Sequence, residues 1–410
     1  MFAWTERQTT HGAALEVRPA ARLFLALTFL AAARASSAQA ITIPGAAAPS
    51  WNRDAAAAYL DHRMDEWFAR GEKLRTGEVT TTCVSCHTVI PYALARPALR
   101  RAMHVTAPTP QESRLVDETS RRVRTYDSHQ LLYDFDEDKK GESRGTEGVL
   151  YALILASADA GQAVEERRRR EPSDATRLAM TRLWQLQRAD GAWEWLDVGL
   201  EPFESIDSAY TGAAFAALAV GMTPALSGGA DARAGIEKLR NYLKTTYPNQ
   251  NLHNRIWGLL ASTSLNETLT RPQRDGLIAE LQRRQHDDGG WSLEGLGDWR
   301  WDRATAPFQS PGRRDLALAA RSDGYATGLI AYTLRQAGLS AEQPIVRKAL
   351  QWLRTNQLPV RAGNREWPAW RAHSLNYDRE HGGSRGEPWR RLFMSDAATA
   401  LASLALSASE

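Results

Sequence analysis

The sequence lacks several features that would identify a function directly. It has 410 residues but only two cysteines, and its formal net charge is only +3. So small a charge gives no support for a nucleic-acid or polyanionic partner. After residue 40 no stretch is long and apolar enough for a transmembrane helix, and no segment shows convincing strand alternation. These absences favour an all-α fold without a membrane span.

Both cysteines lie in one short segment, C-V-S-C-H at residues 83–87. C-x-x-C-H is typical of c-type haem attachment, in which two thiols bind the haem vinyl groups and the adjacent imidazole binds iron. We therefore expect a covalent haem c, with Cys83, Cys86 and His87 as cofactor-binding residues and His87 as an iron ligand. Two other interpretations stay open: the cysteines could close as a disulfide, or the three side chains could bind zinc.

A haem at this segment would need a second axial ligand or an open iron site. His62 and Met64 are candidates for the sixth ligand, because the helix that carries them returns antiparallel and lies close in space. His129 in the second helical hairpin is a further candidate. Met103 and His104 lie roughly 18 Å along the following helix, too far away for the same iron.

The N-terminus predicts export. A basic stretch, an apolar run at residues 23–33 and an A-x-A site at residues 38–40 are typical of a secretory signal peptide. An amphipathic first helix is the alternative. We expect a periplasmic or secreted mature protein. The predicted organisation is a signal peptide at 1–40, a linker at 41–53 and a single toroid domain at 54–407 that carries the segment 83–87.

One motif repeats along the chain. L-x-x-x-Q-x-x-D-G-x-W occurs at residues 183–193 and again at 281–291. A third copy has Gln357, where an insertion delays the glycine and tryptophan to Gly363 and Trp367. Each copy ends a helical pattern, and its Asp-Gly opens a turn because glycine accepts a positive φ. Internal repetition of this kind sets the architecture of a chain.

Helical patterns alternate between amphipathic and almost wholly apolar, and an all-round apolar helix is expected to be buried. Six such pairs can close into a double-layered ring with the apolar helices inside, which leaves no apolar end exposed. An open helical array is the alternative. The predicted outer helices lie near 54–74, 111–130, 174–188, 231–246, 272–285 and 343–356. The predicted inner helices lie near 91–104, 146–160, 207–221, 252–265, 323–337 and 394–407.

The Q-x-x-D-G-x-W copies resemble the QW repeats of squalene–hopene cyclases, in the terpenoid cyclase–prenyltransferase toroid family. The segment CVSCHTVIPYALARPALR is similar to one in bacterial squalene-cyclase-like proteins that carry C-x-x-C-H ahead of their repeats. The resemblance covers roughly residues 50–407. It implies an α/α toroid, an (α/α)6 barrel of six hairpins tied together by glutamine and tryptophan. It also implies a cavity for a hydrophobic, isoprenoid-like ligand.

Class II cyclases of that family protonate an alkene with the middle aspartate of D-x-D-D-T-A. Asp207 takes the first position of this frame, but Ala209 and Tyr210 occupy the other acidic positions. The standard acid is therefore missing. Weak candidates for a catalytic carboxyl are Asp136, which lies in an acidic cluster, Asp207 and Asp323. For Asp136 the alternative is a solvated loop, since Lys139 and Lys140 follow its cluster. For the aspartates at inner-helix starts, Asp207, Asp323 and Asp396, the alternative is capping of free backbone N–H groups.

Polar residues at the starts of the inner helices should face one end of the ring. We expect them to form a polar mouth above an apolar cavity. The expected cavity residues are Tyr210, Thr211, Tyr325, Thr327 and Asp396.

The leading functional hypothesis is a secreted toroid whose haem serves electron transfer or redox chemistry near a hydrophobic ligand, with a redox partner. The first alternative is a terpene-cyclase-type enzyme with a nonstandard acid. The second alternative is a toroid that binds a lipid or a protein and catalyses nothing.

Overall fold

The computed structural model describes residues 50–161, 171–299, 321–376 and 388–408. All of these belong to one compact unit, Pro49–Glu410. The predicted signal peptide and most of the predicted linker lie outside the described residues, so both stay predictions. Among the described residues, no helix has the length and apolarity needed to cross a membrane.

The described residues form twelve α-helices that alternate between an outer and an inner layer, as the sequence predicts. The outer helices are α1 (Arg53–Arg70), α3 (Pro110–Arg124), α5 (Asp174–Gln185), α7 (Ala230–Thr246), α9 (Arg271–Arg284) and α11 (Pro344–Thr355). The inner helices are α2 (Val89–Ala102), α4 (Glu137–Ala160), α6 (Ala209–Met222), α8 (Leu252–Ser264), α10 (Gly324–Gln336) and α12 (Phe393–Ser407).

The inner helices close into a ring. Each packs against the next, in the order α2, α4, α6, α8, α10 and α12, and α12 packs back against α2. The predicted all-α, six-hairpin α/α toroid is therefore confirmed, and the open array is not what forms. Closure lets every inner helix bury apolar surface on both sides, which is the main favourable term in folding.

Two local features explain how the helices start and how closely they pack. Four outer helices begin at a side chain that accepts a backbone N–H: Asn52, Thr109, Ser173 and Thr270. Such caps satisfy donors that the first turn leaves free. Between α10 and α12 the backbones approach closely, because a Cβ at Gly328 would lie 2.6 Å from the Ala402 nitrogen. Glycine is required there for lack of space.

The repeated motifs join neighbouring hairpins. Gln187 Nε2 donates to the carbonyl oxygens of Gly191 (3.0 Å) and Gly235 (2.9 Å), the latter in the next outer helix. Gln285 Nε2 in the second copy donates in the same way to its own loop and to Ile345 of α11 at 2.9 Å. In each copy the tryptophan indole N–H donates back to the preceding outer helix. Glutamine links hairpins, and tryptophan fixes the loop to its own helix.

The third copy closes the ring, but its tryptophan is Trp370. Trp370 Nε1 donates to Leu353 O at 2.9 Å. Gln357 Nε2 donates to Asn52 O at 2.8 Å, and Asn52 N donates to Gln357 Oε1 at 2.6 Å, so the last repeat binds the first outer helix. The prediction of Trp367 is wrong, because the insertion folds as a β-hairpin in which Trp367 packs on His62 of α1 and does not return to α11.

Two β-hairpins accompany the helices, which the sequence did not predict. β1 (Lys73–Thr76) pairs with β2 (Val79–Thr82), and β3 (Leu358–Ala362) pairs with β4 (Arg365–Ala369), both antiparallel. The second hairpin is the insertion of the third repeat. Strands of four and five residues are too short to show an alternating pattern above background.

Candidate functional site

The inner helices begin at a shared end of the ring, which we call the mouth face: their N-termini and the segments that enter them. Side chains in the first turns of neighbouring inner helices bind each other there. Thr211 Oγ1 donates to Asn254 Oδ1 at 2.8 Å, and the Tyr325 hydroxyl is bonded to His253 Nε2 at 2.7 Å.

The five predicted cavity residues do not line open space, since each is at most 1% exposed. The Tyr210 hydroxyl donates to Leu243 O of the outer helix α7 at 3.1 Å. Thr327 Oγ1 accepts from the backbone N–H of Trp291 at 3.0 Å. Together with the Thr211 and Tyr325 contacts, these bonds join elements of the fold to one another. The expected polar mouth is thus a set of inter-element hydrogen bonds.

His253 and Tyr325 form a buried neutral pair. Burial lowers the pKa of His253 to about 4, and burial raises the pKa of Tyr325. His253 Nε2 also accepts from Trp257 Nε1 at 3.2 Å. Phe203, from the segment before α6, packs its ring 5.7 Å from that of His253 and 6.1 Å from that of Tyr325. Protein side chains therefore fill the mouth at this point.

Asp396 lies at the centre of a buried polar network in the first turn of α12. Its carboxylate accepts from the Tyr59 hydroxyl (2.8 Å), Arg63 Nε (2.7 Å) and Thr88 Oγ1 (2.9 Å). Burial raises the pKa of Asp396, while Arg63 and the hydroxyl donors favour its ionised form. Because its three donors come from α1 and from the residue that begins α2, the Asp396 carboxylate links α1 and α2 to α12.

The three predicted catalytic aspartates are placed at helix starts. Asp136 caps α4 by accepting from the N–H groups of Asp138 and Lys139, which starts the helix nine residues before the predicted 146. Asp207 is exposed on the segment before α6, and its backbone oxygen accepts from Asn254 Nδ2 at 2.7 Å. Asp136 therefore caps a helix and does not lie in the solvated loop that was its alternative.

Asp323 caps α10 but has a perturbed carboxyl as well. Its Oδ1 accepts from Ala326 N at 2.9 Å, and its Oδ2 accepts from Leu293 N. Burial raises the pKa of Asp323 to about 6, against the backbone donors that lower it.

Glu201 is the functional candidate that the sequence analysis missed. Only 5% exposed, it lies on the irregular segment that leads into α6. Burial raises the pKa of its carboxyl to about 7, although the hydroxyl of Ser205, which donates to Oε2 at 2.8 Å, lowers it. No motif contains Glu201; its position six residues before the Asp207 frame was the available signal.

The backbone of Glu201 is fixed from a second segment. Asn376 Oδ1 accepts from Glu201 N at 3.0 Å, and Asn376 Nδ2 donates to Glu201 O at 2.9 Å. The same segment reaches α10, where Gly324 N donates to Arg371 O at 2.9 Å. Residues 371–376 therefore connect the turn that holds Glu201 with the helix start that holds Asp323.

The C-x-x-C-H segment also lies at the mouth face, and its side chains are packed into the protein. Cys83, Cys86 and His87 are all buried. The His87 ring stacks on Phe393 with centroids 3.9 Å apart and an interplanar angle of 12°. Burial raises the pKa of Cys83 to about 12 and that of Cys86 well above its usual value. Haem attachment stays a prediction, which this packing does not favour.

The predicted sixth ligands lie on other surfaces of α1 and α3–α4. His62 stacks on Trp367 of the β3–β4 hairpin at 5.1 Å, and Met64 is fully buried in the core. His129 Nε2 is bonded to Glu147 Oε2 at 2.7 Å. Burial alone would raise the pKa of Glu147, but Arg122 and His129 lower it. Within the described ranges, no group of three His, Cys, Asp or Glu side chains could hold a metal ion.

Comparison with known proteins gives likenesses of shape only. No protein-family model and no curated protein matches the chain. One similar solved structure is UGL with dGlcA-Glc-Rha-Glc, at 14% identity and a TM-score of 0.47, covering 84% of this chain and 95% of that one. Another is an unsaturated glucuronyl hydrolase responsible for glycosaminoglycan degradation, from Bacillus sp. GL1. It shows 13% identity and a TM-score of 0.47, covering 84% of this chain and 94% of that one.

These findings correct the family prediction. The similar structures are glucuronyl hydrolases, so the predicted membership of the squalene–hopene cyclase family is wrong. The predicted haem-bearing redox function is wrong as well, because nothing found supports it. The two alternatives, a terpene-cyclase-type enzyme and a toroid that only binds a lipid or a protein, were part of the same prediction and are not proposed again. Tyr210, which occupies an acidic position of the cyclase motif, binds Leu243 O of the outer helix α7. The isoprenoid-like ligand, the redox partner and the periplasmic or secreted location stay untested predictions.

Proposed function

We propose that this protein is an acid–base enzyme of the hydrolase or lyase class, and that Glu201 at the mouth face is its proton donor. The observation that carries the proposal is a carboxyl group with a pKa of about 7 on an irregular segment above the inner-helix N-termini. A general acid works best when its pKa lies near the working pH. Strong shifts of this kind are concentrated at functional sites.

The surroundings hold Glu201 in place. Ser205 binds one carboxyl oxygen, and Asn376 binds the backbone N–H and C=O of Glu201. A proton donor fixed by neighbours loses little freedom when substrate binds, which supports catalysis by orientation. Ser205, which binds the carboxyl, is followed in the chain by Ile206, which is 71% exposed, so this segment reaches the surface close to Ser205.

Asp323 supplies a second carboxyl with a different proton occupancy. With a pKa of about 6, Asp323 is mostly ionised at pH 7, whereas Glu201, with a pKa of about 7, is about half protonated. A protonated carboxylic acid and an ionised carboxylate are the pair that acid–base catalysis uses. Residues 371–376 contact both elements that carry them.

A matched pair of variants tests the proposal. Wild type, Glu201→Gln and Glu194→Gln would be assayed against chromogenic glycosides, uronates and esters over pH 5–9. Glu194 is exposed and lies on the same stretch of chain, so it controls for the loss of a glutamate. We expect Glu201→Gln to lose at least about 10²-fold in kcat, the usual contribution of a general acid.

The pH profile gives a second readout. We expect wild-type kcat to fall as the pH rises through about 7, because the acid form of Glu201 is lost, and Glu194→Gln to keep that profile. Full activity in Glu201→Gln, on any substrate that the wild type turns over, would show that Glu201 is not the acid.

A further inference from the structure

The most distinctive motif of the chain, residues 83–88, takes no part in the proposed chemistry. We infer that this segment, the closure clasp, joins the first hairpin of the toroid to the last inner helix and is not a haem site. The inference rests on packing and hydrogen bonds, and it is independent of the function proposed for Glu201.

The clasp is fixed to the first hairpin at its start. Cys83 N donates to Glu72 O at 2.9 Å, and the indole N–H of Trp67 donates to Cys83 O at 2.7 Å. The N–H and C=O of Cys83 are therefore both hydrogen-bonded, to Glu72 just beyond α1 and to Trp67 within α1. A backbone held in this way sets the direction of the residues that follow.

The middle of the clasp starts α2. Ser85 Oγ accepts from the N–H groups of Thr88 (3.3 Å) and Val89 (3.2 Å), and Ser85 O accepts from Ile90 N at 3.1 Å. These bonds satisfy N–H groups that the first turn of a helix leaves free. The serine between the two cysteines thus has a capping role.

The end of the clasp binds α12, more than 300 positions later in the chain. Thr88 Oγ1 donates to Asp396 Oδ2 at 2.9 Å, and the His87 ring stacks on Phe393. Trp67 meets the edge of His87 at 5.8 Å and that of Phe393 at 5.7 Å. Three aromatic rings from α1, the clasp and α12 pack together where the ring closes.

The same contacts do not fit a haem. A haem iron would bind a ring nitrogen of His87, but Nδ1 lies 3.2 Å from Thr88 Oγ1, and the ring is 4% exposed and packs against Phe393 and Trp67. A porphyrin would therefore have to displace these contacts. The two thiols lie in different surroundings: the charges acting on Cys83 are Arg122, Glu72 and Glu147, whereas Glu204 acts on Cys86. Both thiols are buried with raised pKa values, as expected of cysteines that pack as small apolar groups.

The test has two arms on the full chain. In the first, wild type and Cys83→Ala/Cys86→Ala would be exported to the periplasm of a bacterium that expresses its cytochrome c maturation proteins. Covalent haem would be measured by the pyridine haemochrome spectrum of purified, denatured protein. We expect no covalent haem in wild type. Stoichiometric haem that disappears in the double variant would overturn the inference.

The second arm tests the clasp itself by thermal unfolding. Thr88→Val removes the hydroxyl that binds Asp396, and Thr80→Val makes the same chemical change at an exposed strand residue. We expect a clearly larger fall in Tm for Thr88→Val, and recovery in Thr88→Ser, which keeps the hydroxyl. Equal effects of Thr88→Val and Thr80→Val would overturn the clasp, whether or not haem is found. If Thr88→Val does not fold, a folded Thr88→Ser with near wild-type Tm still supports it.

Discussion

Glu201 is the residue whose environment departs furthest from what the sequence suggests. Its carboxyl is buried within a segment that looks like an ordinary connection between helices. Burial without a cationic partner disfavours the charged form, so the proton is held to higher pH. This single physical effect gives the site its acid and also makes the stability of the fold depend on pH.

We predict that Glu201 lowers stability as the pH rises from about 4.5 to 7. Over that range the folded state keeps the proton at Glu201 and the unfolded state has released it, so the unfolded state binds fewer protons. Full release corresponds to on the order of 3 kcal/mol for a shift of this size. Glu201→Gln removes this pH dependence of the unfolding free energy. The unfolding free energy of the variant minus that of wild type should therefore be larger at pH 8 than at pH 5.

The measurement is denaturant unfolding at both pH values, with Glu194→Gln as the control. The difference between variant and wild type must be used, because His253 acts in the opposite direction. Because the pKa of His253 is about 4 in the folded protein, its contribution to the unfolding free energy grows as the pH rises from about 4 to 6.5. An identical pH dependence in Glu201→Gln and wild type would contradict the raised pKa.

At the scale of elements, the repeats were the most informative part of the sequence. They predict where outer helices end and loops begin, because each copy combines a helix end with turn chemistry. The linking roles of Gln187 and Gln285 were implied only by the family resemblance that the repeats carry. The third copy was misread, because its insertion is a β-hairpin with two candidate tryptophans. Spacing alone could not tell that Trp370 returns to Leu353 while Trp367 faces His62.

A pair of tryptophan variants tests this assignment. Trp370 is fully buried and donates to Leu353 O, so Trp370→Ala should cost about 3–5 kcal/mol in unfolding free energy. Trp367 is 8% exposed and packs against His62 and Arg365 but does not make the bond to Leu353 O, so Trp367→Ala should cost less than Trp370→Ala. Denaturant unfolding of both variants gives the comparison. A larger loss of unfolding free energy in Trp367→Ala than in Trp370→Ala would instead support Trp367 as the tryptophan of the third repeat.

At the scale of the whole molecule, the toroid is held closed where residues near 52 meet residues near 357. Gln357 and Asn52 exchange two hydrogen bonds, and no counterpart of this closing pair is needed in an open array. The apolar inner helices made a closed ring predictable. Which side chains close it was not predictable, because they are far apart in sequence and belong to different motifs.

We predict that Gln357→Ala weakens this closure by about 0.5–1.5 kcal/mol, the net contribution of a typical hydrogen bond, because both bonds to Asn52 are exposed and water can replace them. Gln351→Ala is the matched control, because Gln351 is exposed on α11, the helix that precedes Gln357. Hydrogen exchange should show faster opening at the start of α1 in Gln357→Ala only. Unchanged exchange at α1 would mean that the pair adds nothing to closure.

The fold was predictable because periodicity and apolarity act along the chain, but the function was not. One scaffold can host unrelated chemistries, so a family resemblance carried by scaffold motifs says little about a site. The C-x-x-C-H segment shows this most clearly: its spacing matches haem attachment, while its side chains pack against Trp67 and Phe393. Glu201 became visible only through its burial and its contacts with Ser205 and Asn376.

The most direct test of the account is the pKa of the Glu201 carboxyl in the folded protein. Carbon-13 NMR of protein labelled at the glutamate side-chain carboxyl, with the resonance assigned by its absence from Glu201→Gln, would follow the titration. The account predicts a midpoint at about pH 7. A midpoint near 4.5, the ordinary value for a solvated glutamate, would contradict a proton donor at the mouth face.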